Sequence, residues 1–140
     1  MSIVRHGDIV VPLNLGWTDG TQIVLLKEFT ADFRANVVVS SEDSRPGETL
    51  EDFRARARTS LRQALTALRV DYEGSTTLGP WNGYMVEHRF EAGGQVLKQI
   101  QFHIHHGAKV HTLTCTHVES EFEDTRLEFQ QIISGLQITP

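Results

Sequence analysis

Cysteine is nearly absent from the sequence, because Cys115 is the only one, and a single thiol excludes an internal disulfide. Long apolar runs are absent as well, since no stretch approaches the ~18 residues that a membrane-spanning helix needs. The 13 lysines and arginines are outnumbered by 18 aspartates and glutamates, and the net charge is −5. Because phosphates require a basic face, we expect no nucleic-acid partner. Because long apolar runs are absent, we expect no insertion into a membrane.

The N-terminus lacks the features that together mark a signal peptide, which are a basic start, an apolar core and a small-residue cleavage site. Together with the lone cysteine, this absence predicts a cytoplasmic protein. The 140 residues suffice for one ordinary hydrophobic core but not for two. We therefore expect a single domain over residues 1–140.

Apolar, β-branched segments separated by turn residues predict most of the secondary structure. The predicted strands cover residues 3–11 (interrupted at Gly7 and Asp8), 23–29, 35–41, 71–78, 81–90, 96–106 and 109–118. Residues 30–32 are the predicted connection between the second and third of them. Consecutive strands with short connections indicate a largely antiparallel sheet. We predict an α+β fold in which about six to seven strands pack with two helices.

Both helices are predicted from capping boxes followed by apolar residues at spacings of three and four. The box at residues 49–52 begins a helix that should extend to about residue 68. The box at residues 120–123 begins a second helix, which should end near residue 134. Arg54, Arg58 and Arg62 form a row along the first helix, and such rows are usually solvated faces.

The segment 96–118 folds back on itself about Gly107 and Ala108, a dipeptide that fits a type II′ turn. Alternation then predicts an apolar face and a polar, uncharged face. The apolar face contains Ile100, Phe102, Ile104, Leu113 and Cys115, and the polar face contains Gln99, Gln101, His103, Thr112, Thr114 and Thr116. We expect Tyr84, Val86 and Phe90 of the preceding strand to join the apolar face. Solvated sheet faces normally carry charges, so the polar face is a candidate binding surface.

The seven histidines raise the hypothesis of a metal protein. A zinc site needs three or four ligands that converge on one point. Alternation places His103 and His105 on one face of the hairpin, and His106 and His111 on the other. We therefore expect no metal and no cofactor. No nucleophile motif or pair of carboxylates is recognisable either, so we predict that the protein is not an enzyme.

The chain resembles the DcrB-like proteins in the order and spacing of several segments. These are the IVRHGDIVVP start, the Trp17-Thr18-Asp19 turn, the ANVVVSSEDS segment, the first helix, the QIQF strand and the terminal ISGL. Within that group it is most similar to the Eag chaperones, the effector-associated proteins of bacterial type VI secretion. The resemblance implies a PsbP-like α/β sandwich that forms a homodimer.

The resemblance also implies a client. In the Eag chaperones a concave groove shields the N-terminal transmembrane helices of a toxin effector, of the PAAR/Rhs type, until the toxin is loaded on the secretion spike. By position, the client-binding residues would be Ile23, Leu25, Val38, Leu97, Gln99 and Gln101. A glutamine that the family uses on its first helix is replaced by Ala57 here.

Two other functions remain as alternatives. One is a PsbP-like binding or scaffold domain with a soluble protein partner. The other is a histidine-rich metal-binding protein, which the ligand geometry disfavours.

Overall fold

The structure is a computed structural model that describes residues 2–28 and 33–139. It contains a six-stranded antiparallel sheet, a separate two-stranded hairpin and two helices. The hairpin consists of β1 (Ser2–His6) and β2 (Ile9–Leu13); the main sheet consists of β3 (Gln22–Leu26), β4 (Asn36–Asp43), β5 (Thr66–Leu78), β6 (Trp81–Ala92), β7 (Gln95–His106) and β8 (Lys109–Val118) in the order β3-β4-β8-β7-β6-β5; the helices are α1 (Leu50–Ala64) and α2 (Glu119–Ser134). The predicted α+β fold is therefore confirmed, and the connection predicted at residues 30–32 lies outside the described residues.

The β7–β8 hairpin has the predicted register. His106 pairs with Lys109 across the turn, and Gly107 adopts a φ of +61°, as the first central position of a type II′ turn requires. Gln101 consequently opposes Thr114. The two chemically different faces predicted for this hairpin are confirmed.

The register between β6 and β7 differs from the prediction. Gly93 and Gly94 both have positive φ, at +58° and +77°, and form a two-residue turn that pairs Ala92 with Gln95. Val86 therefore opposes Gln101, on the polar side of the hairpin. The prediction that Tyr84, Val86 and Phe90 join the apolar face was wrong, because the assumed longer loop shifts the register by one residue and so exchanges the faces.

One face of the main sheet carries the core, and we call it the α2 face because α2 packs there on β7 and β8. Its buried cluster contains Ala35, Val37, Ile100, Ile104, Leu113, Cys115, Phe122, Phe129 and Ile133. Burial raises the pKa of the Cys115 thiol to about 12, so this thiol is an inert part of the core.

The opposite face carries Gln99, Gln101 and His103, and we call it the α1 face because α1 packs there over β5, β6 and β7. Phe53 of α1 is buried, and its ring lies 5.2 Å from the ring of His103, measured between centroids. The two helices therefore lie on opposite sides of the sheet.

The start of α1 was predicted correctly, but its end and the start of α2 were not. Thr49 Oγ1 accepts from the Asp52 amide at 3.1 Å, and the Asp52 carboxylate accepts from the Thr49 amide at 3.1 Å, which completes the capping box. α1 ends at Ala64 rather than near residue 68, because the chain enters β5 and pairs with β6. α2 begins at Glu119, after Val118 without a side-chain cap, so the capping box predicted at residues 120–123 is not formed.

The arginine row on α1 is not simply solvated. Arg54 and Arg58 both pair with Glu73 of β5, and the Arg54 guanidinium lies 4.3 Å from the centroid of the Tyr84 ring. The prediction was wrong for these two residues, because the neighbouring strand brings a carboxylate and an aromatic ring under the helix. Their pairing fixes α1 above β5 and β6.

α1 covers two histidines on the sheet. His88 is 0% exposed and His103 is 2% exposed. Burial, with a smaller contribution from His88, lowers the pKa of His103 to about 4, and burial also lowers the pKa of His88. His103 Nδ1 lies 2.9 Å from Thr112 Oγ1, so the neutral ring is held by a hydrogen bond.

Neutral His103 should make the fold sensitive to acid. Its pKa falls from 6.5 in the unfolded chain to about 4 in the folded one, so the unfolded state takes up the proton first as the pH falls. Its contribution to stability is complete above pH 6.5 and is lost as the pH falls to about 4, a loss on the order of 3 kcal/mol. Urea unfolding across this range should show the slope, and His103→Gln should reduce it.

Thr112→Val is the matched control for that experiment. It removes the hydrogen bond to His103 but keeps the imidazole, so we expect lower stability at every pH with an unchanged slope. An undiminished slope in His103→Gln would show that other groups cause the acid sensitivity.

Candidate functional site: an uncharged surface on the sheet

On the α1 face, α1 packs over β5, β6 and β7, so β3 lies outside its cover. On β8, Val110 and Thr116 of the same face are buried, and Thr112 and Thr114 are half-buried. On β3, Val24 and Leu26 are 51% and 52% exposed. Val38 of β4 lies between Val24 and Thr114, with which it pairs on either side. We call the side chains on this part of the face the open surface; it consists of Val24, Leu26, Val38, Gln99, Gln101 and Thr114.

The open surface is apolar along β3 and β4 and neutral but polar along β8 and β7. On the described strands β3, β4, β7 and β8, the α1 face carries one carboxylate, that of Glu42. Glu42 lies at the margin, where its Oε1 is 2.8 Å from Arg56 Nη2 of α1. A solvated sheet face normally alternates charges with threonines, so this surface is suited to contact with an apolar partner.

Gln99 is bound into the protein's own hydrogen-bond network. Its Oε1 accepts from His88 Nε2 at 2.8 Å, and its Nε2 donates to Thr116 Oγ1 at 2.9 Å. Because both ends of the carboxamide have partners, Gln99 links β6, β7 and β8 beside α1. Its first role in the structure is to give a partner to buried His88 Nε2, while His88 Nδ1 has none among the described residues.

Gln101, two residues further along β7, is less satisfied. Its Nε2 reaches Thr114 Oγ1 at only 3.5 Å, and its buried Oε1 accepts no hydrogen bond from the described residues. It borders a cavity of about 10 Å³ between the sheet and α1, lined in part by Val86 and His103. Gln101 therefore has hydrogen-bonding capacity that the described fold does not use.

The six client-binding residues implied by the resemblance do not share a face. Val38, Leu97, Gln99 and Gln101 lie on the α1 face, although Leu97 is only 8% exposed. Ile23 and Leu25 pair with Val39 and Val37 and therefore lie on the α2 face.

Val24 and Leu26 take the places next to Val38 that the sequence had indicated for Ile23 and Leu25. The segment QIVLL is apolar on both sides, so alternation within it could not identify the side that joins the glutamines. Only the pairing of Val24 with Val38 shows which side of β3 lies on the same face as the glutamines.

Glu87 on the α2 face is held in ion pairs rather than poised for proton transfer. Burial acts to raise the pKa of Glu87, but hydrogen bonds from Arg126 and Lys98 outweigh it and lower this pKa. Arg126 Nη2 lies 2.7 Å from Glu87 Oε1, and Lys98 Nζ lies 3.0 Å from the same atom. Glu87 therefore has the environment of a structural ion pair.

The histidines do not form a metal site in the described part of the chain, where no three His, Cys, Asp or Glu side chains converge. His103 bonds Thr112 on the α1 face, whereas His111 Nδ1 lies 2.7 Å from Ser41 Oγ on the α2 face. Within the same residues, no helix is both long enough and apolar enough to span a membrane.

Three solved structures with similar folds come from bacteria. PA94 of Pseudomonas aeruginosa, a protein of unknown function, is 16% identical, with a TM-score of 0.83 over 100% of this chain and 98% of its own. LpqN of Mycobacterium tuberculosis, involved in cell envelope biogenesis, is 14% identical, with a TM-score of 0.67 over 99% of this chain and 90% of its own. The cyanobacterial PsbP (CyanoP) of Synechocystis is 14% identical, with a TM-score of 0.59 over 88% and 84%.

At these identities the solved structures show the fold alone, which is PsbP-like as predicted. None of the three is described as an enzyme. A comparison with curated proteins finds no match. The family model for DcrB matches residues 7–135, which include both helices, the whole main sheet and the open surface. The chain therefore belongs to the DcrB family.

Proposed function

We propose that the protein is a chaperone that binds an apolar helix of a client protein on the open surface and keeps it out of water. The observation that carries the proposal is the uncharged part of the α1 face, where Val24, Leu26 and Val38 adjoin Gln101 and Thr114. The client is the N-terminal transmembrane region of a type VI secretion toxin effector of the PAAR/Rhs type. The chaperone is cytoplasmic, homodimeric and not an enzyme.

The chemistry of the open surface matches that of a transmembrane helix outside its membrane. Such a helix exposes apolar side chains, and its small-residue faces also expose backbone polar groups and hydroxyls. Val24, Leu26 and Val38 supply apolar contact for the first. Thr114 Oγ1 and the weakly bonded Gln101 Nε2 supply hydrogen bonds for the second without the cost of burying a charge. Helix-in-groove recognition is the binding mode.

The dimensions of the surface also fit one helix. Four adjacent strands, from β3 to β7, span about 14 Å at ~4.8 Å per strand, and a helix with side chains is about 10–12 Å wide. β8 has 10 residues, which is roughly 33 Å of strand. A transmembrane helix of ~20 residues is about 30 Å long.

The choice of a secreted toxin as the client rests on the resemblance of this chain to the Eag chaperones, which lies within the DcrB family that the chain belongs to. Of the six residues that the resemblance implies, Ile23 and Leu25 are not part of the proposed client surface. Because they lie on the α2 face, their places in client binding pass to Val24 and Leu26.

Co-expression tests the proposal directly. The chain should keep the first ~60 residues of a candidate effector in solution, since two helices of ~20 residues plus flanks are required. Val24→Asp should reduce the co-purified fragment about tenfold or more, because a charge would be buried against an apolar helix. Pull-down from the soluble fraction measures the ratio of fragment to chaperone.

Ile23→Asp is the matched control, since Ile23 is a neighbour on the same strand, is 55% exposed and points to the other face. It should retain the fragment. Equal loss in both variants, or an insoluble fragment beside folded wild-type chain, would contradict the assignment of the client to the α1 face.

Substitutions at the two glutamines should separate an effect on stability from an effect on client binding. Gln99→Ala leaves buried His88 Nε2 without its acceptor, so we expect a loss of roughly 1–3 kcal/mol in the free energy of unfolding. Gln101→Ala removes one long hydrogen bond and should cost less than about 1 kcal/mol, but it should lower fragment retention. Urea unfolding and the same pull-down measure both effects, and the reverse ranking would refute this division of roles.

A further inference from the structure

We propose that one water molecule binds between α1 and the main sheet, where it accepts hydrogen bonds from two arginines of α1 and donates hydrogen bonds to His88 and Gln101. The site lies on the inner side of α1, whereas the proposed client contacts the open surface. The inference therefore goes beyond the proposed function and holds whether or not a client is bound.

Four polar side chains line the cavity of about 10 Å³ between α1 and the sheet. Arg54 and Arg58 come from α1, one helical turn apart, and His88 and Gln101 come from β6 and β7. The structure gives no partner to six buried polar side-chain atoms of the described residues, and four of them belong to these side chains: Arg54 Nε, Arg58 Nε, His88 Nδ1 and Gln101 Oε1. Buried polar atoms are normally paired, so four at one cavity indicate a ligand that they share.

The register of the sheet brings two of these atoms within reach of one ligand. Val86 pairs with Gln101, and His88 pairs with Gln99. His88 and Gln101 are therefore diagonal neighbours on the α1 face. Such neighbours lie about 7–8 Å apart, a distance that two long side chains and one bridging molecule can cover.

The other contacts of these side chains decide which of the four atoms donate and which accept. His88 Nε2 donates to Gln99 Oε1 at 2.8 Å, and burial lowers the pKa of His88, so the ring is neutral and its Nδ1 is an acceptor. Gln101 Oε1 is an acceptor as well, since Nε2 of the same carboxamide is turned toward Thr114. Arginine Nε can only donate. The site thus presents two donors and two acceptors.

This set of atoms selects water over other ligands. An anion would face the lone pairs of His88 Nδ1 and Gln101 Oε1, and a cation would lie beside two guanidinium groups. An organic molecule is too large, because the cavity of about 10 Å³ is close to the ~10–15 Å³ that a single water needs. Water donates two hydrogen bonds and accepts two, which matches the four atoms.

The bound water joins α1 to two strands of the sheet. Arg54 and Arg58 already use terminal guanidinium nitrogens to pair with Glu73 of β5. Through the water, their Nε atoms also reach β6 and β7. The water holds Gln101 Oε1 beneath α1 while Nε2 stays on the side of Thr114, so it orients one polar side chain of the open surface.

A high-resolution crystal structure of the unmodified chain tests the site directly. We expect electron density for one water within ~2.7–3.2 Å of both His88 Nδ1 and Gln101 Oε1. In ¹⁵N NMR spectra, His88 should be protonated at Nε2, and its bare Nδ1 should show the shift of an accepted hydrogen bond. Absence of density at this position, or a His88 ring protonated at Nδ1, would overturn the proposal.

Substitutions at Ala57, which lines the cavity from α1, test what the water contributes to stability. Threonine and valine have the same shape and nearly the same helix propensity, but only threonine has a hydroxyl that can replace the water. Valine would displace the water and leave the polar atoms unpaired. In urea unfolding, the equilibrium constant for unfolding should be about tenfold or more larger for Ala57→Val than for Ala57→Thr.

Ala55→Val and Ala55→Thr are the matched controls, because Ala55 is an exposed residue of the same helix. The unfolding constants of these two variants should differ by less than about twofold. If Ala57→Val were as stable as Ala57→Thr, or more stable, the cavity would behave as an apolar space and the proposal would be refuted.

Discussion

Two helices have to cover a six-stranded sheet that carries apolar side chains on both faces, and this constraint governs the molecule. A helix is about 10–12 Å wide, whereas six strands span about 24 Å. α2 covers the centre of one face through Phe122 and Phe129. α1 covers β5 to β7 on the other face and leaves β3 exposed and β4 and β8 partly exposed. The open surface is the part of this face that α1 does not reach.

The position of α1 follows from charges as much as from apolar packing. Arg54 and Arg58 pair with Glu73 beneath it, and Arg56 reaches Glu42 and Glu48 at its other margin. These ion pairs place charged groups of the α1 face at the edges of the helix. The centre of the face is left with neutral glutamines, threonines and histidines, which are compatible with an apolar helix as the ligand.

The two sides of β3 have different chemical neighbours. Val24 and Leu26 continue into the row that leads through Val38 to Gln101. Ile23 and Leu25 point instead toward α2 and the cavity beside Ile132. A single five-residue strand thus borders the glutamine-bearing surface on one side and α2 on the other.

The turns and helix caps could be predicted from the sequence, because they depend on residues that are neighbours along the chain. Gly107 in its turn and Thr49 with Asp52 in the capping box are determined by residues close along the chain. The face of a strand that is apolar on both sides depends on its partner, so the sequence could not show whether Ile23 or Val24 shares a face with the glutamines before β3 was paired with β4. The same holds for Val86, whose side depends on the length of one glycine turn, and for Arg54, whose partner Glu73 comes from another element. Alternation is a local property, but which side is covered is a property of the packed sheet.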